Sequence, residues 1–351
     1  MKAGISIVIC TYNGSARLPK TLRHIAEQQV RSNVNWELVL VDNASTDNTA
    51  ALAKEEWSKY NCQAHFKVVH QPVPGLSYAR EMGFRTAQYD YIIMCDDDNW
   101  LKQDYVEIAF DVMQQHPNCA VLGGMGIFVY ETTPPSWLAA YSLYAGGPQA
   151  PTSGKVATNR LYGAGSILRK SAYYAVYKAG FRSILADRMA AQLTSGGDHE
   201  LCYGLALAGY EIRYDERLQF EHFITTDRLN WQYYQRYIRE SAGCFEVLEP
   251  YKILLETNSP SRITFYRKLS RSFFYHVKKY VPLWWRYQFI NKKSEEGKIT
   301  KVQCIILKTR IKSFFTGFKA LQENFNHVVA LRKKLRKEGP VKKKTNTFVA
   351  A

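Results

Sequence analysis

The apolar run Tyr91–Cys95 is followed directly by three consecutive carboxylates, Asp96–Asp98. A run rich in β-branched and aromatic residues is typical of a buried strand. Carboxylates clustered at the end of such a strand repel one another and destabilise the fold unless a cation neutralises them. Oxygen ligands suit Mg²⁺ or Mn²⁺, which leave coordination positions open for nucleotide phosphates. The sequence therefore predicts a divalent metal site, and the alternative is an acidic turn that caps the helix starting near Lys102.

Polar residues also follow two earlier apolar runs. Thr11–Asn13 comes after Ile5–Cys10, and Asp42 with Asn43 comes after Trp36–Val41. Helical patterns separate the runs of the first 125 residues, which predicts a doubly wound α/β fold with a mostly parallel sheet. Ligands bind outside the carboxyl ends of the strands in such sheets. The polar clusters are therefore expected to line one site.

The second half of the chain changes in character. Residues 132–160, rich in Pro, Gly, Ser and Thr, are predicted to form a long loop, of the kind that is often a functional lid. A helix is predicted at Leu201–Ala208, and two short strands at Glu211–Tyr214 and Leu218–His222. From about Trp231 the pattern is helical, with a break at 258–260.

The net charge of +16 is unevenly distributed. Residues 261–351 hold 23 Lys and Arg against 4 Asp and Glu, whereas residues 1–260 hold 24 against 27. Aromatics such as Trp284 and Trp285 lie among these cations, and a basic cluster follows at 332–337. This composition predicts contact with an anionic membrane surface, and the alternatives are nucleic acid or a solvated helical appendage.

The seven cysteines are scattered, odd in number and without a C-x-x-C pair, which favours reduced thiols in the cytoplasm. No run approaches 18 apolar residues, and the first residues lead straight into a strand, which leaves no room for a signal peptide. We therefore expect a cytoplasmic protein that sits peripherally on the inner face of the cell membrane.

Four motifs in order carry a family resemblance: Ser6–Asn13, Val41–Asp47, Pro74–Leu76 with Arg80, and Asp96–Asn99. Together they resemble a family 2 glycosyltransferase of the bacterial surface-polysaccharide type, and such enzymes have the GT-A nucleotide-diphospho-sugar transferase fold. The resemblance covers roughly residues 4–230. It implies a catalytic domain at 1–230, with a nucleotide-binding half (1–125) and an acceptor-binding half (126–230). A helical basic and aromatic extension (231–340) and a disordered tail (341–351) would follow.

The resemblance also implies which residues bind the nucleotide. These are the nucleobase edge Cys10, Thr11, Tyr12 and Asn13, the uracil-binding Asp42, the diphosphate-side Gly75 and Arg80, and the ribose-side Asp96 and Asp97. Tyr12 would stack on the base, and Arg80 would pair with the diphosphate or a neighbouring acid. The alternatives are a buried aromatic for Tyr12, a helix N-cap for Asp42 and a solvated cation for Arg80.

Asp98 resembles the direct metal ligand, and His222 resembles a late histidine found near the metal and diphosphate in many relatives. A structural role is the alternative for His222. Trp137 and the Gly163–Ser166 turn are expected, on position alone, to shape the acceptor pocket.

Gly196–Leu201 resembles the acidic loop that supplies the catalytic base of inverting members. Aligned on Leu201, Asp198 takes the base position, with Glu200 as the second acid and reserve candidate. A positioned carboxylate can accept the proton that an attacking hydroxyl must lose. The alternative is a helix start, with Asp198 as its N-cap and Glu200 in the first turn.

The sequence therefore predicts an inverting, metal-dependent glycosyltransferase with Mn²⁺ or Mg²⁺. It would move a sugar from a nucleotide-diphosphate donor, expected to be a UDP-sugar, to a glycan or lipid-linked acceptor. A sugar-1-phosphate nucleotidyltransferase would need a Gly-rich basic loop after the first strand, and Thr11–Gly14 is not one. A non-enzymatic nucleic-acid-binding protein would explain the basic extension but not the acids at the strand ends.

Overall fold

The computed structural model describes residues 2–140, 142, 144–185, 195–241, 244–257 and 261–338. The predicted helix break at 258–260 and the predicted disordered tail at 341–351 lie outside these residues. The strands are β1 (Lys2–Thr11), β2 (Trp36–Asp42), β3 (His65–His70), β4 (Tyr89–Asp96), β5 (Asn99–Leu101), β6 (Cys119–Tyr130), β7 (Gly154–Lys155), β8 (Ile167–Arg169) and β9 (Glu211–Ile224).

The helices of the catalytic region are α1 (Leu18–Ala26), α2 (Thr49–Ser58), α3 (Leu76–Thr86), α4 (Tyr105–Gln115), α5 (Ser136–Ala140), α6 (Lys170–Lys178) and α7 (Gly197–Leu207). A short 3₁₀ helix spans Thr226–Leu229. The helices of the extension are α8 (Trp231–Ser241), α9 (Phe245–Leu255), α10 (Arg262–Phe289), α11 (Glu295–Thr316) and α12 (Phe318–Glu338).

All strands belong to one sheet in the order β3-β2-β1-β4-β8-β6-β9-β5, with β7 paired to β9. Strands β3, β2, β1 and β4 run parallel, as do β6 and β9. The pairs of β8 with its neighbours, and of β5 and β7 with β9, are antiparallel. The predicted α/β fold with a mostly parallel sheet is confirmed.

Helices cover both faces of this sheet, because side chains alternate between its faces along each strand. Ile5, Ile7 and Ile9 are fully buried in the apolar layer under α1, α2 and α4. Val8 points into the other layer, which contains α3, α6 and α7. Burial on both faces explains why the parallel strands are continuous apolar runs in the sequence.

Beyond β4 the fold departs from the sequence expectations. The predicted strands Glu211–Tyr214 and Leu218–His222 form one strand, β9. The pairing of β9 with β6 shifts between Tyr214 and Gln219, so the polar residues between them form a bulge within a continuous strand. The predicted loop 132–160 contains α5 and β7, and β5 and β8 were not predicted. Both are three-residue strands, too short for a periodic pattern.

The helical extension shares a hydrophobic core with the catalytic region. Tyr251 of α9 and Phe325 of α12 lie in the same apolar cluster as Tyr203 of α7. Phe265 of α10 stacks on Phe325, with ring centroids 4.2 Å apart. Among the described residues no helix is long and apolar enough to cross a membrane.

Candidate active site

The polar clusters meet at one edge of the sheet. In the strand register Cys10 lies beside Asp96, Thr11 beside Asp42, and Asp42 beside His70. Parallel strands bring their carboxyl ends together, so β3, β2, β1 and β4 deliver these side chains to a single cleft edge. Burial raises the pKa of the Cys10 thiol to about 12, so Cys10 contributes a neutral group.

Asp97 is held by protein groups on both oxygens. The Arg17 guanidinium donates from Nε to Oδ1 at 2.9 Å and from NH2 to Oδ2 at 2.9 Å, and the Thr11 hydroxyl donates to Oδ2 at 2.6 Å. Burial raises the pKa of Asp97, and the two Arg17 hydrogen bonds counteract that shift. A bidentate pair of this kind fixes a loop strongly. Asp97 therefore ties the end of β4 to the start of α1.

Asp98 faces the other way, toward β9. Its Oδ2 lies 3.1 Å from NH1 of Arg228 and 3.7 Å from Nε2 of His222. The register that sets Asn99 of β5 opposite His222 of β9 creates this approach. Asn99 donates from Nδ2 to Oδ1 of Asp98 at 3.1 Å. Asp96 lies two residues before Asp98, and its backbone N–H donates to Oδ1 of Asn99 at 3.3 Å.

The hydrogen bond of His222 fixes its tautomer. Nδ1 lies 2.7 Å from the carbonyl oxygen of Ala145. Because a carbonyl only accepts, Nδ1 carries a hydrogen, and Nε2 is the ring nitrogen that faces Asp98. A backbone carbonyl that accepts from the other ring nitrogen orients metal-binding histidines in the same manner.

The chemistry of Asp98 and His222 fits a divalent ion of the Mg²⁺ or Mn²⁺ type. A hard carboxylate oxygen and an imidazole nitrogen face one point, and such ions are often held by one or two protein ligands together with waters and substrate phosphates. Within the described ranges no group of three or more ligating side chains is assembled. The site is thus incomplete as a protein cage and would rely on diphosphate oxygens for further ligands.

Asp198 reaches the same edge from α7. Its Oδ1 accepts from NH1 of Arg80 at 2.7 Å, and its Oδ2 accepts from the backbone N–H of Gly163 at 2.9 Å. The Gly163–Ser166 turn is hydrogen-bonded to Met94 of β4, so it lies just before the three carboxylates. A Cβ on Gly163 would stand 2.4 Å from the Asp198 carboxyl group, which explains the glycine.

Glu200, two residues further on, has a different environment. It is fully buried and accepts hydrogen bonds from the backbone N–H groups of Ile184 and Leu185 and from the Ser183 hydroxyl. The Tyr251 hydroxyl of α9 lies 3.4 Å from it. Burial raises the pKa of Glu200, against the effect of these hydrogen bonds. The surroundings of Glu200 thus favour an anchoring role, whereas Asp198 lies at the cleft edge.

The side of the edge that is predicted to bind the nucleobase is built by β1 and β2. Tyr12 is 54% exposed at the end of β1, so its ring is available for stacking. Asp42 accepts from the backbone N–H of Ser45 at 3.1 Å and remains slightly exposed. Asn13 adopts a left-handed backbone conformation (φ 48°) and accepts from the backbone N–H of Thr46, which joins the loops after β1 and β2.

Asn43 organises the approach to α3. Its Nδ2 donates to the carbonyl of Val73 at 2.7 Å, and its Oδ1 accepts from the N–H of Gly75 at 2.8 Å. Gly75 has φ 142°, a region that favours glycine. Gly75 therefore directs the chain into α3, which carries Arg80.

The structure also decides between several sequence alternatives. Helix α4 begins at Tyr105, with β5 between it and the carboxylates, so Asp96–Asp98 do not cap it. Asp42 does not cap α2, whose N-cap residue is Asn48. Trp137 is 4% exposed and packs against Trp231, so it belongs to the core.

Two arginines of the site were missed by the sequence analysis. Arg17 precedes the N-terminus of α1, where a cation opposes the helix dipole and therefore needs an acidic partner such as Asp97. Arg228 follows His222 by six residues and is almost fully buried over the Tyr144 ring, at 4.8 Å. Its Nε has no hydrogen-bond partner among the described residues. No local sequence signal distinguishes Arg228 from a surface arginine.

Sequence comparison assigns the first half of this fold to a family. Residues 6–176 match the model of glycosyl transferase family 2. The chain is 30% identical over 120 residues to glycosyltransferase GlyG of Streptococcus pneumoniae, which is 34% of this chain and 38% of GlyG. It is 32% identical over 106 residues to glycosyltransferase GlyA of the same organism, which is 30% of this chain and 14% of GlyA. The chain thus spans well under half the length of these relatives.

Solved structures resemble the fold over nearly the whole chain. S. aureus TarS 1–349 in complex with UDP-GlcNAc has 18% identity and a TM-score of 0.53, covering 95% of this chain and 92% of that one. The mannosyltransferase PcManGT from Pyrobaculum calidifontis, in complex with GDP-Man and Mn²⁺, has 14% identity and a TM-score of 0.52, covering 95% and 86%. At these identities the likeness supports the GT-A fold alone.

Proposed function

Because residues 6–176 match the model of glycosyl transferase family 2, we propose that the chain is an inverting, metal-dependent glycosyltransferase. The donor would be a nucleotide-diphospho-sugar, expected to be a UDP-sugar. The observation that carries this proposal is the convergence of Asp98, His222 and Asp198 on one sheet edge.

Asp98 and His222 would hold Mn²⁺ or Mg²⁺ at the diphosphate end of the cleft. The ion would neutralise the charge that develops on the leaving diphosphate. Tyr12 would stack on the base, and Asp42 would accept a hydrogen bond from the imide N–H of uracil. Asp96, which lies beside Cys10 in the strand register, would contact the ribose between these groups.

Asp198 would act as the general base. Each of its carboxylate oxygens accepts one hydrogen bond in the structure, and each retains a second lone pair. One of these would accept the proton of the acceptor hydroxyl as its oxygen attacks the anomeric carbon. The bond between that carbon and the diphosphate oxygen breaks on the opposite face, and the configuration inverts. Arg80 and Gly163 keep the carboxylate in place.

The partners follow from the same scheme. The solved relatives hold UDP-GlcNAc or GDP-Man, which supports a nucleotide-sugar donor here. We propose a glycan or lipid-linked acceptor of surface-polysaccharide assembly. The basic extension would bring the catalytic edge to an anionic membrane surface, on its inner face, where a lipid-linked acceptor is presented.

The decisive experiment is a screen of nucleotide sugars for metal-dependent hydrolysis and transfer. We expect one donor class to be turned over with Mn²⁺ or Mg²⁺ and to be inert with excess chelator. Asp98→Asn should abolish turnover, and Asp198→Asn should lower it by roughly 10²–10⁴-fold with donor affinity little changed. The matched control is Asp104→Asn, the same chemical change at an exposed residue outside the site, which should retain full activity.

Four results would contradict this scheme. Full activity with chelator or in Asp98→Asn would remove the metal role. A collapse of donor affinity in Asp198→Asn would assign Asp198 to the nucleotide site instead, and turnover loss confined to Glu200→Gln would make Glu200 the base. Release of pyrophosphate from UTP and a sugar-1-phosphate would favour the alternative function, a nucleotidyltransferase.

A further inference from the structure

The outward face of α10 carries large apolar side chains that lie open to solvent. Ile263 is 80% exposed, Phe274 68%, Val281 54%, Trp285 61% and Phe289 74%. At about 100° per residue these five positions fall within an arc of about 80°. We call this set the outer face of α10.

The outer face lies opposite the side by which α10 packs on the protein. Phe265, Leu269 and His276 are buried and lie roughly 200° or more around the helix from Ile263. Packing within the chain therefore explains the apolar residues of one side only. An isolated exposed apolar residue is ordinary, whereas a continuous row marks an interaction surface.

Cations lie within this row and have no acidic partners among the described residues. Arg267, Arg271 and Lys278 share the arc of the outer face and form no ion pair with any described residue. From Arg262 to Lys293 the sequence has nine Lys and Arg and no Asp or Glu. Other cations of this stretch are turned to partners, as Lys268 is to Glu256.

We propose that the outer face of α10 lies in the surface of an anionic lipid bilayer. Its aromatic and aliphatic side chains would enter the boundary between headgroups and acyl chains, and its cations would contact acidic headgroups. Tryptophan is favoured at this depth because its ring is amphipathic. A second copy of the chain fits poorly, since pairing through this face would oppose three unpaired cations of each copy without one acid.

The structure narrows the membrane contact to part of the predicted basic and aromatic extension. Phe265 and Phe273 pack internally, against Phe325 and Phe314 respectively. Arg332, in the predicted basic cluster at 332–337, donates to the backbone carbonyls of residues 254 and 257. The inference rests on the proposed function, because a lipid-linked acceptor would lie at the same surface.

Co-sedimentation of the full chain with vesicles tests this face. The vesicles are equimolar phosphatidylglycerol and phosphatidylcholine, compared with phosphatidylcholine alone. One variant, F274S/W285S/F289S, removes the aromatics, and a second, R267Q/R271Q/K278Q, removes the cations. The matched control, K333Q/K334Q/K337Q, removes the same charge from exposed positions of α12. All these positions are exposed, and circular dichroism melts check that each variant is folded.

We expect the wild type to bind the anionic vesicles and the control to bind nearly as well. Each lost cation should lower the partition coefficient about fivefold. The cation variant, which lacks three, should therefore bind roughly 100-fold more weakly. The aromatic variant should keep only binding that disappears at 1 M salt, where the screening length is about 3 Å. Equal binding by the aromatic variant and the wild type would overturn the proposal. Equal losses of vesicle binding in the cation variant and in the control would also overturn the proposal.

Three further measurements separate the remaining outcomes. W285F should bind vesicles normally, and the tryptophan quenching by brominated lipid should fall relative to the wild type; unchanged quenching would overturn insertion at Trp285. A wild-type dimer that the aromatic variant converts to a monomer would assign the outer face to a second copy. Donor hydrolysis without vesicles should be the same in wild type and variants. Failure of wild-type hydrolysis refutes the proposed function, whereas loss of vesicle binding alone refutes only this inference.

Discussion

Asp98→Asn tests whether Arg228 or mutual repulsion of the carboxylates dominates the charge balance of the site. From the sequence alone, removing one of three adjacent carboxylates would relieve repulsion and hold or raise stability. The structure predicts the opposite sign, because Asp98 is paired with Arg228 at 3.1 Å and their side chains are only 13% and 11% exposed. The substitution leaves a buried guanidinium without its counter-charge.

The magnitude follows from this geometry. Two unit charges 3.1 Å apart attract by about 5 kcal/mol at an effective dielectric constant near 20. Removing one partner of a buried pair costs about 3–5 kcal/mol, and the asparagine oxygen can still accept a neutral hydrogen bond of about 1 kcal/mol. We therefore expect Asp98→Asn to lower the free energy of unfolding by about 2–4 kcal/mol. The melting temperature should fall by roughly 5 °C.

A double-mutant cycle isolates the pair. Arg228→Met keeps the apolar stem over Tyr144 and removes the charge, and the double variant removes both charges. Urea unfolding followed by circular dichroism should give a coupling free energy of about 2 kcal/mol. Mn²⁺ should stabilise the wild type but not Asp98→Asn. Unfolding free energy within about 0.5 kcal/mol of wild type in Asp98→Asn, or any increase, would refute the reasoning, because repulsion would then outweigh the ion pair.

Three further predictions concern positions around the site and in the extension. Asp97→Asn should destabilise the chain by about 2 kcal/mol in urea unfolding, at the low end for a buried pair because Arg17 is 32% exposed; unchanged stability would remove its anchoring role. Gly163→Ala should displace Asp198 and lower turnover by roughly 100-fold while donor affinity, measured by calorimetry, is kept. Burial lowers the pKa of His276 below its usual 6.5. Below about pH 6.5 the unfolded chain therefore binds a proton that the folded chain does not bind. Stability falls as the pH drops below that value. His276→Phe should flatten that dependence in melts between pH 5 and 7, and an unchanged slope would contradict it.

Strands β1 to β4 were predictable because burial on both faces leaves a plain sequence pattern. Tyr91–Cys95 and Trp36–Val41 were located to within two residues of β4 and β2. The gathering of Thr11, Asp42 and Asp96 at one edge followed from parallel topology alone. Local sequence was sufficient here because each motif directly follows its strand.

The acceptor-side half was less predictable, because tertiary contacts decide it. The sequence of the bulge in β9 predicts the end of one strand and the start of another. Pairing with β6 on both sides of the bulge nevertheless makes β9 one continuous strand. The approach of His222 to Asp98 depends on β5, a strand of three residues with no periodic signal. Arg17 and Arg228 act through partners 80 and 130 residues away. No window of local sequence contains such pairs.

The core that α9 and α12 share with α7 has a consequence for how the activity of such a chain can change. The matched family segment ends at residue 176, before Asp198. Asp198 lies on α7, and the position of α7 depends on the extension through the shared apolar cluster and the approach of Tyr251 to Glu200. If Asp198 is the base, as we propose, changes in the extension would move the base while Asp42 and Asp96 stay in place. On that proposal, exchanging the extension alone would change the acceptor preference and the linkage without changing the donor.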